Sequence, residues 1–518
     1  MRVVSWASKH ALLLAGCSLF ALCQSSAIVE AAQPFLIPGS LVVSTSTYDN
    51  TQGAVASLTP GVTTLAGTST FGSPPTCSTA SAGGDYVNVW NNDSVDGSFG
   101  VTSQITLTDI NPATGQILAT LPVPASQVVT SFSSKSELAL SFTVGPKGPL
   151  LTFEDYGGPG VGAIDVSNGD AVAGQDPSNP VTPCFGSGRA FPRTIASVSK
   201  TGAFTFTPTI AYGGDNPRGV IYSPDAGLYY SVGNSNNGLA DDYTYACPGK
   251  KSATNCTDPN VTETTGLEAV NPLNWPSWNY GTIPTNNSEQ ADPMYASVSG
   301  DKPGKDSNFR GVTEFNGALY FTKGSGSNGI NTLYTVSPNL PTVKGAPSAT
   351  VSIVPGFPTD VAKTSGGNFT PFGIFFANAT TVYVADEGSG NTLDATSHAG
   401  LEKWSLVGGT WQLDYVLQNG LLNTPPYTLT GYDGPYPTVT TVGLRELTGV
   451  VNGNSVTLWA ETSTNSSSMD AGADPNEVVT ITDSLPATQQ SQVTGESFSV
   501  LGAPTYGTVY RGVAYIAN

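Results

Sequence analysis

Apolar and polar residues alternate along this chain in short runs. Leu41–Thr47 (LVVSTST), Ile105–Ile110, Glu137–Phe142, Leu150–Phe153, Thr332–Val336, Val382–Ala385 and Asn476–Thr482 are rich in β-branched, aromatic or aliphatic residues. Gly, Pro, Asn or Asp bounds each run, as tight turns between strands require. No amphipathic helical pattern longer than two turns stands out. The pattern predicts an all-β chain.

The runs repeat. Segments 217–238, 309–329, 371–391 and 447–465 each hold a glycine, an apolar strand, a turn and a second apolar strand that ends in polar residues. Their anchor glycines, Gly219, Gly311, Gly373 and Gly449, recur at uneven intervals, as in a structural repeat with loop insertions. Residues 509–518 (VYRGVAYIAN) supply only the first strand of a further unit. Residues 38–49 (PGSLVVSTSTYD) supply what reads as a second strand. A first and a second strand from opposite ends of the sequence complete one sheet, and that removes an unpaired edge. With a weaker copy at 136–142, which lacks the glycine, the expectation is a β-propeller of six blades, or seven if 160–210 holds another. The rival architecture is a pair of β-sandwiches, which gives no reason for a repeat split between the two ends.

Composition narrows the class. Of 518 residues, 11% are charged, 59 are Gly and 38 are Pro, which disfavours helical bundles and coiled coils. Hydrophobic residues make up 39% and aromatics 9%, too many for a disordered chain. The formal net charge of −19 argues against a nucleic-acid partner.

Positions 1–32 read as an export signal: Arg2 and Lys9, an apolar run from Ala11 to Cys23, and small residues that allow cleavage after Ala27 or Ala31. The remainder, 33–518, is expected to be one propeller domain without a transmembrane segment. Leu14-Ala15-Gly16-Cys17 also resembles the bacterial lipoprotein box, which would anchor the chain by a lipid on Cys17. Beyond the signal remain Cys77, Cys184, Cys247 and Cys256. An even number in an exported chain suggests two disulfides. Cys247–Cys256 would clip a polar loop and leave Cys77 for Cys184, one of three connectivities. Asn92, Asn255, Asn260, Asn286, Asn368, Asn378 and Asn465 are N-glycosylation acceptors if the source is eukaryotic.

VYVADEGSGN followed by GLEKWSL resembles the NHL type of propeller repeat. The longer pattern resembles a family of exported propeller-like proteins with no assigned activity. The stretches shared with it are 91–107, 130–140, 308–331, FGIFF…VYVADEG and the terminal RGVA. The resemblance implies fold and export and no chemistry. The units here are longer than NHL repeats, and only 371–406 follows that pattern well.

Several residues are candidates for binding. Arg218, Arg310 and Arg511 each precede a glycine of the repeat, and Arg445 lies four residues before Gly449. On innermost strands, they would converge on the axis and hold a carboxylate, sulfate or acidic sugar. Their commoner use is to pair with a neighbouring blade and lock the ring. Asp386, Glu387 and Asp394 could hold calcium, although a capped turn explains Asp386 more simply. Trp275, Trp278 and Tyr280 offer aromatic faces to a sugar, or a satellite apolar cluster under a long loop.

Catalytic sets are sparse. His398 is the sole histidine beyond the signal, and no Gly-x-Ser-x-Gly elbow precedes a helix. Paired carboxylates drawn from Glu137, Asp155, Asp165 and Glu314 remain candidates for acid–base work. The first functional expectation is an exported scaffold or ligand-binding module for an extracellular anion or glycan. The alternatives are a hydrolase or lyase of polysaccharide or a small ester, and a structural surface protein.

Overall fold

The computed structural model describes residues 34–59, 61–66, 77–79, 100–132, 134, 137–158, 160–164, 166, 192–209, 211–212, 216–234, 264–273, 291–296, 309–324, 329–365, 369–388, 398–421, 426–429, 438–466 and 472–517. Among these, strands dominate, and the one α-helix is the single turn Ala362–Ser365.

The two ends of the sequence meet in one sheet. Leu41–Thr47 pairs antiparallel with Thr508–Tyr515, from Leu41 opposite Tyr515 to Thr47 opposite Thr508. On its other side Leu41–Thr47 pairs with Thr102–Ile110, which in turn pairs with Ile117–Pro122. This is blade one. Its innermost strand comes last in sequence, so closure works as the split repeat predicted.

Five further four-stranded antiparallel runs follow among the described residues. Blade two is Ser141–Gly145, Gly148–Gly157, Arg193–Ser199 and Phe204–Thr209. Blade three is Pro217–Ser223, Leu228–Gly233, Thr264–Val270 and Ala291–Ala296. Blade four is Phe309–Phe315, Ala318–Lys323, Thr332–Ser337 and Thr350–Ile353. Blade five is Pro371–Asn378, Thr381–Asp386, Gly400–Val407 and Thr410–Leu417. Blade six is Val439–Asn452, Ser455–Ser466, Val478–Ser484 and Ser499–Gly502.

The first strand of each blade packs against the first strand of the next, from blade one round to blade six and back to blade one. That closed circuit defines a propeller of six described blades. Val128–Ser131 pairs with strands of blades one and two and so joins them into one nine-stranded sheet. A short parallel pairing at Tyr295–Thr350 and Ala296–Val351 joins the outer strands of blades three and four.

Apolar faces fill the seams between blades. The seam between six and one buries Leu41, Val43, Trp459, Val478 and Val513. There the Trp459 indole stacks on Tyr515 at 5.1 Å and donates its N–H to the Pro112 carbonyl. Between blades four and five, Phe315 and Tyr320 pack on Phe376. Aromatic faces stack well between splayed sheets, because one ring covers much area with few rotamers to lose.

Candidate functional site

The inner strands share one irregularity. Pairing breaks at the same place in five blades: around Arg511, Arg218, Arg310–Gly311, Phe372–Gly373 and Arg445–Glu446. A β-bulge bends its strand and re-aims the bulged side chain. Four of these five positions carry the predicted arginines, and all four are buried, from 1% to 5% exposed. Phe372 holds the place in blade five.

The glycine after the bulge is explained by the next blade. A Cβ on Gly311 would lie 2.3 Å from the Phe372 carbonyl oxygen, and one on Gly512 would lie 2.6 Å from the Leu138 carbonyl oxygen. The Arg-Gly pair thus has two jobs: the glycine lets adjacent inner strands touch, and the arginine enters the bulge. In blade six the equivalent of the glycine is Glu446. Gly449, expected as that anchor, sits beyond the bulge opposite Leu458, where a Cβ would meet the Phe375 and Leu458 side chains. The hairpin of blade six is longer than its counterparts, and this displaced the sequence alignment.

Arg445 donates from Nε to Glu387 Oε1 of blade five at 3.2 Å. Arg310 lies over the Phe372 ring of blade five at 5.2 Å. Both contacts are the blade-locking use of arginine. Arg511 gives its Nη2 to the carbonyl oxygens of Phe132 and Gly472. Among the described residues, its Nε and Nη1 have no hydrogen-bond partner.

Around Arg511 gather ionisable groups from both neighbouring blades. Glu137 and Asp155 of blade two and Arg445 and Glu461 of blade six all act on it electrostatically. Burial, together with the like charge of Arg445, pushes the Arg511 guanidinium down to about 10. Burial also holds the Asp155 and Glu461 carboxyls well above the usual carboxylate range, and it pushes Glu446 up to about 8. One oxygen of Glu461, Oε2, has no hydrogen-bond partner among the described residues. Glu137 is held firmly: Oε1 accepts from the Tyr156 hydroxyl at 2.6 Å and from Asn216 Nδ2 at 2.7 Å, and Oε2 accepts from the Ser131 N–H at 3.2 Å. Arg193 lies 5.1 Å above the Tyr156 ring.

Other predicted residues have different surroundings. Asp386 is buried and caps a turn: Oδ2 accepts from the Thr370 N–H at 2.7 Å, and Oδ1 accepts from the Thr370 hydroxyl at 2.5 Å and the Gly388 N–H at 2.8 Å. With Glu387 engaged by Arg445, these two carboxylates serve the fold. No group of three or more metal-ligating side chains occurs among the described residues. Glu314 is half-buried near Ser223 and Asp225, apart from the axial groups. Asp165, Asp394, Trp275, Trp278, Tyr280, Cys184, Cys247, Cys256 and the signal segment lie outside the described residues, as does the side chain of Cys77.

His398 places Nδ1 2.6 Å from Glu402 Oε1, and the other Glu402 oxygen accepts from Trp404 Nε1 at 2.7 Å. The hydrogen bond that the imidazole makes to the Glu402 carboxylate raises His398, while burial pushes Glu402 up to about 7. Among the described residues, no hydroxyl or thiol hydrogen-bonds to this imidazole. A second buried pair, Lys403 and Asp483 at 2.8 Å, joins blades five and six, with the Tyr415 hydroxyl donating to Asp483.

Sequence reading picked out the arginines, Glu137 and Asp155. It missed Arg193, Glu446 and Glu461. Only the bulge register, aligned across blades, could have placed Glu446 and brought Glu461 opposite it.

No protein-family profile and no curated protein matches the chain. Among solved structures, the chain is similar to the ectodomain of the parainfluenza virus 5 hemagglutinin-neuraminidase. That match has a TM-score of 0.34 and 12% identity and covers 74% of this chain and 76% of that chain. The propeller assignment rests on the closed circuit of inner strands.

Proposed function

We propose that this chain is an exported, NHL-like β-propeller that works outside the cytoplasm as a ligand-binding module, with its ligand, an anion or a carbohydrate, taken at the axis beside Arg511. One observation carries the reading. A guanidinium only 1% exposed leaves two of its nitrogens unpartnered, within electrostatic reach of a carboxyl oxygen that is also unpartnered. Buried polar atoms are normally hydrogen-bonded, and unpaired ones of complementary character mark a place for a polar occupant. Export is supported by the signal-like segment 1–32.

The test is a glycan array together with thermal melting in the presence of small anions and sugars. Binding on either, lost in Arg511→Gln, is the expected result; silence in both removes the ligand. A hydrolase or lyase is the second reading. It is favoured by axial carboxyls that burial keeps in the acid form, the state a general acid needs. Turnover on a polysaccharide panel separates the two.

A further inference from the structure

We infer that the axial ligand is a small carboxylate, held between the unpartnered nitrogens of Arg511 and the unpartnered oxygen of Glu461. This rests on the axial reading above and narrows it to one chemical class. Arg511 and Glu461 come from adjacent blades and act on each other electrostatically. The charged and titratable groups facing them are Arg445 and Glu446 from the inner strand of blade six, and Glu137 and Asp155 from blade two.

Charge decides among ligands. Arg445 already has Glu387 at 3.2 Å. Among the described residues, Arg511 meets only carbonyl oxygens, through Nη2, so its charge has no direct carboxylate partner there. A neutral sugar would leave that charge uncompensated. A dianion such as sulfate would bring two negative charges to one uncompensated guanidinium. A monocarboxylate supplies one negative charge and two acceptor oxygens. One oxygen accepts from Arg511, as guanidinium–carboxylate pairs do. The other accepts from the Glu461 carboxyl in its acid form, which burial favours. The same proton makes binding pH-dependent: once Glu461 or Glu446 ionises, it repels the ligand. In that range affinity falls by up to about tenfold per pH unit for each proton required.

Calorimetric titration of the whole exported protein tests this, with acetate, glucuronate, glucose and sulfate as probes at pH 5.5 and pH 9. The expected result is that both carboxylates bind at pH 5.5, about tenfold or more tighter than glucose or sulfate, and weaken at least tenfold at pH 9. Glu461→Gln, which keeps an N–H donor at every pH, should bind at pH 5.5 and lose part of the pH dependence. Arg511→Gln should abolish binding. If that variant fails to fold, the wild-type ligand order and pH profile still decide. Sulfate or glucose binding as tightly as glucuronate, or carboxylate binding that ignores pH, overturns the carboxylate assignment and leaves the axial reading standing. No binding of any probe overturns both.

Discussion

Replacing Glu446 by Gln should make the fold less sensitive to alkali. In the unfolded chain this carboxyl titrates near 4.5, whereas in the folded protein burial pushes it up to about 8. Below pH 4.5 it is protonated in both states and contributes no pH dependence. Between the two values, folding must keep a proton that the unfolded chain releases, so stability declines as pH rises. Above about 8 the carboxyl is ionised in both states and the loss is complete. A difference of about 3.5 units at about 1.4 kcal/mol per unit gives a loss of about 5 kcal/mol across that window. Unfolding entropy is about 2.1 cal/mol/K per residue, so over the roughly 480 residues from Gln33 onward 1 kcal/mol moves Tm by about 1 °C. The neutral Gln variant should therefore melt with the wild type at pH 4.5 and about 5 °C above it at pH 8.5. Calorimetric scans across that range measure both curves. Curves that stay parallel would show that Glu446 is not the buried acid described here. A variant already weaker at pH 4.5 would point to the carboxyl making a contact that the amide cannot reproduce.

Other expectations follow from the seams and the ring. Arg445→Gln takes the guanidinium from a buried Glu387 and should cost about 3–5 kcal/mol in urea unfolding. Trp459→Ala empties the seam between blades six and one, and a loss of about 3–5 kcal/mol in the same assay is expected. Gly512→Val would drive a Cβ to within 2.6 Å of the Leu138 carbonyl oxygen, lowering stability by about 2–3 kcal/mol or more. Removing residues 508–518 exposes the inner edge of Leu41–Thr47, so a cooperative melting transition should disappear and light scattering should rise.

Much of the fold could be read from the sequence because strand and turn signals are local. LVVSTST at 41–47 and VYRGVAY near the other end each declare a strand, and the repeat says which strand of a unit each one is. The Arg-Gly pair was legible for a similar reason: the glycine answers a fixed steric demand from the next blade. Blade six broke the pattern. Its longer hairpin moved Gly449 away from the bulge and put Glu446 there, and a charged residue in a glycine's place leaves no motif to find. Blade two also starts without the glycine, with Leu138 at φ 70° and Ala139 next to it. The axial set was the least legible part. Glu137 and Asp155 lie far along the chain from Glu461 and Arg511, and only ring closure brings them into electrostatic reach.

The strand that completes blade one is separated from its partner Leu41–Thr47 by nearly the whole length of the chain. At about 5–20 residues per second, a ribosome needs roughly half a minute to a minute and a half to bridge that gap. Throughout that interval the early strand has a bare inner flank, and the circle stays a horseshoe. An open horseshoe unravels more readily than a closed circle, so the nascent polypeptide keeps a threadable state until Thr508–Tyr515 emerges. The latch that makes the finished molecule hard to open also postpones its locking.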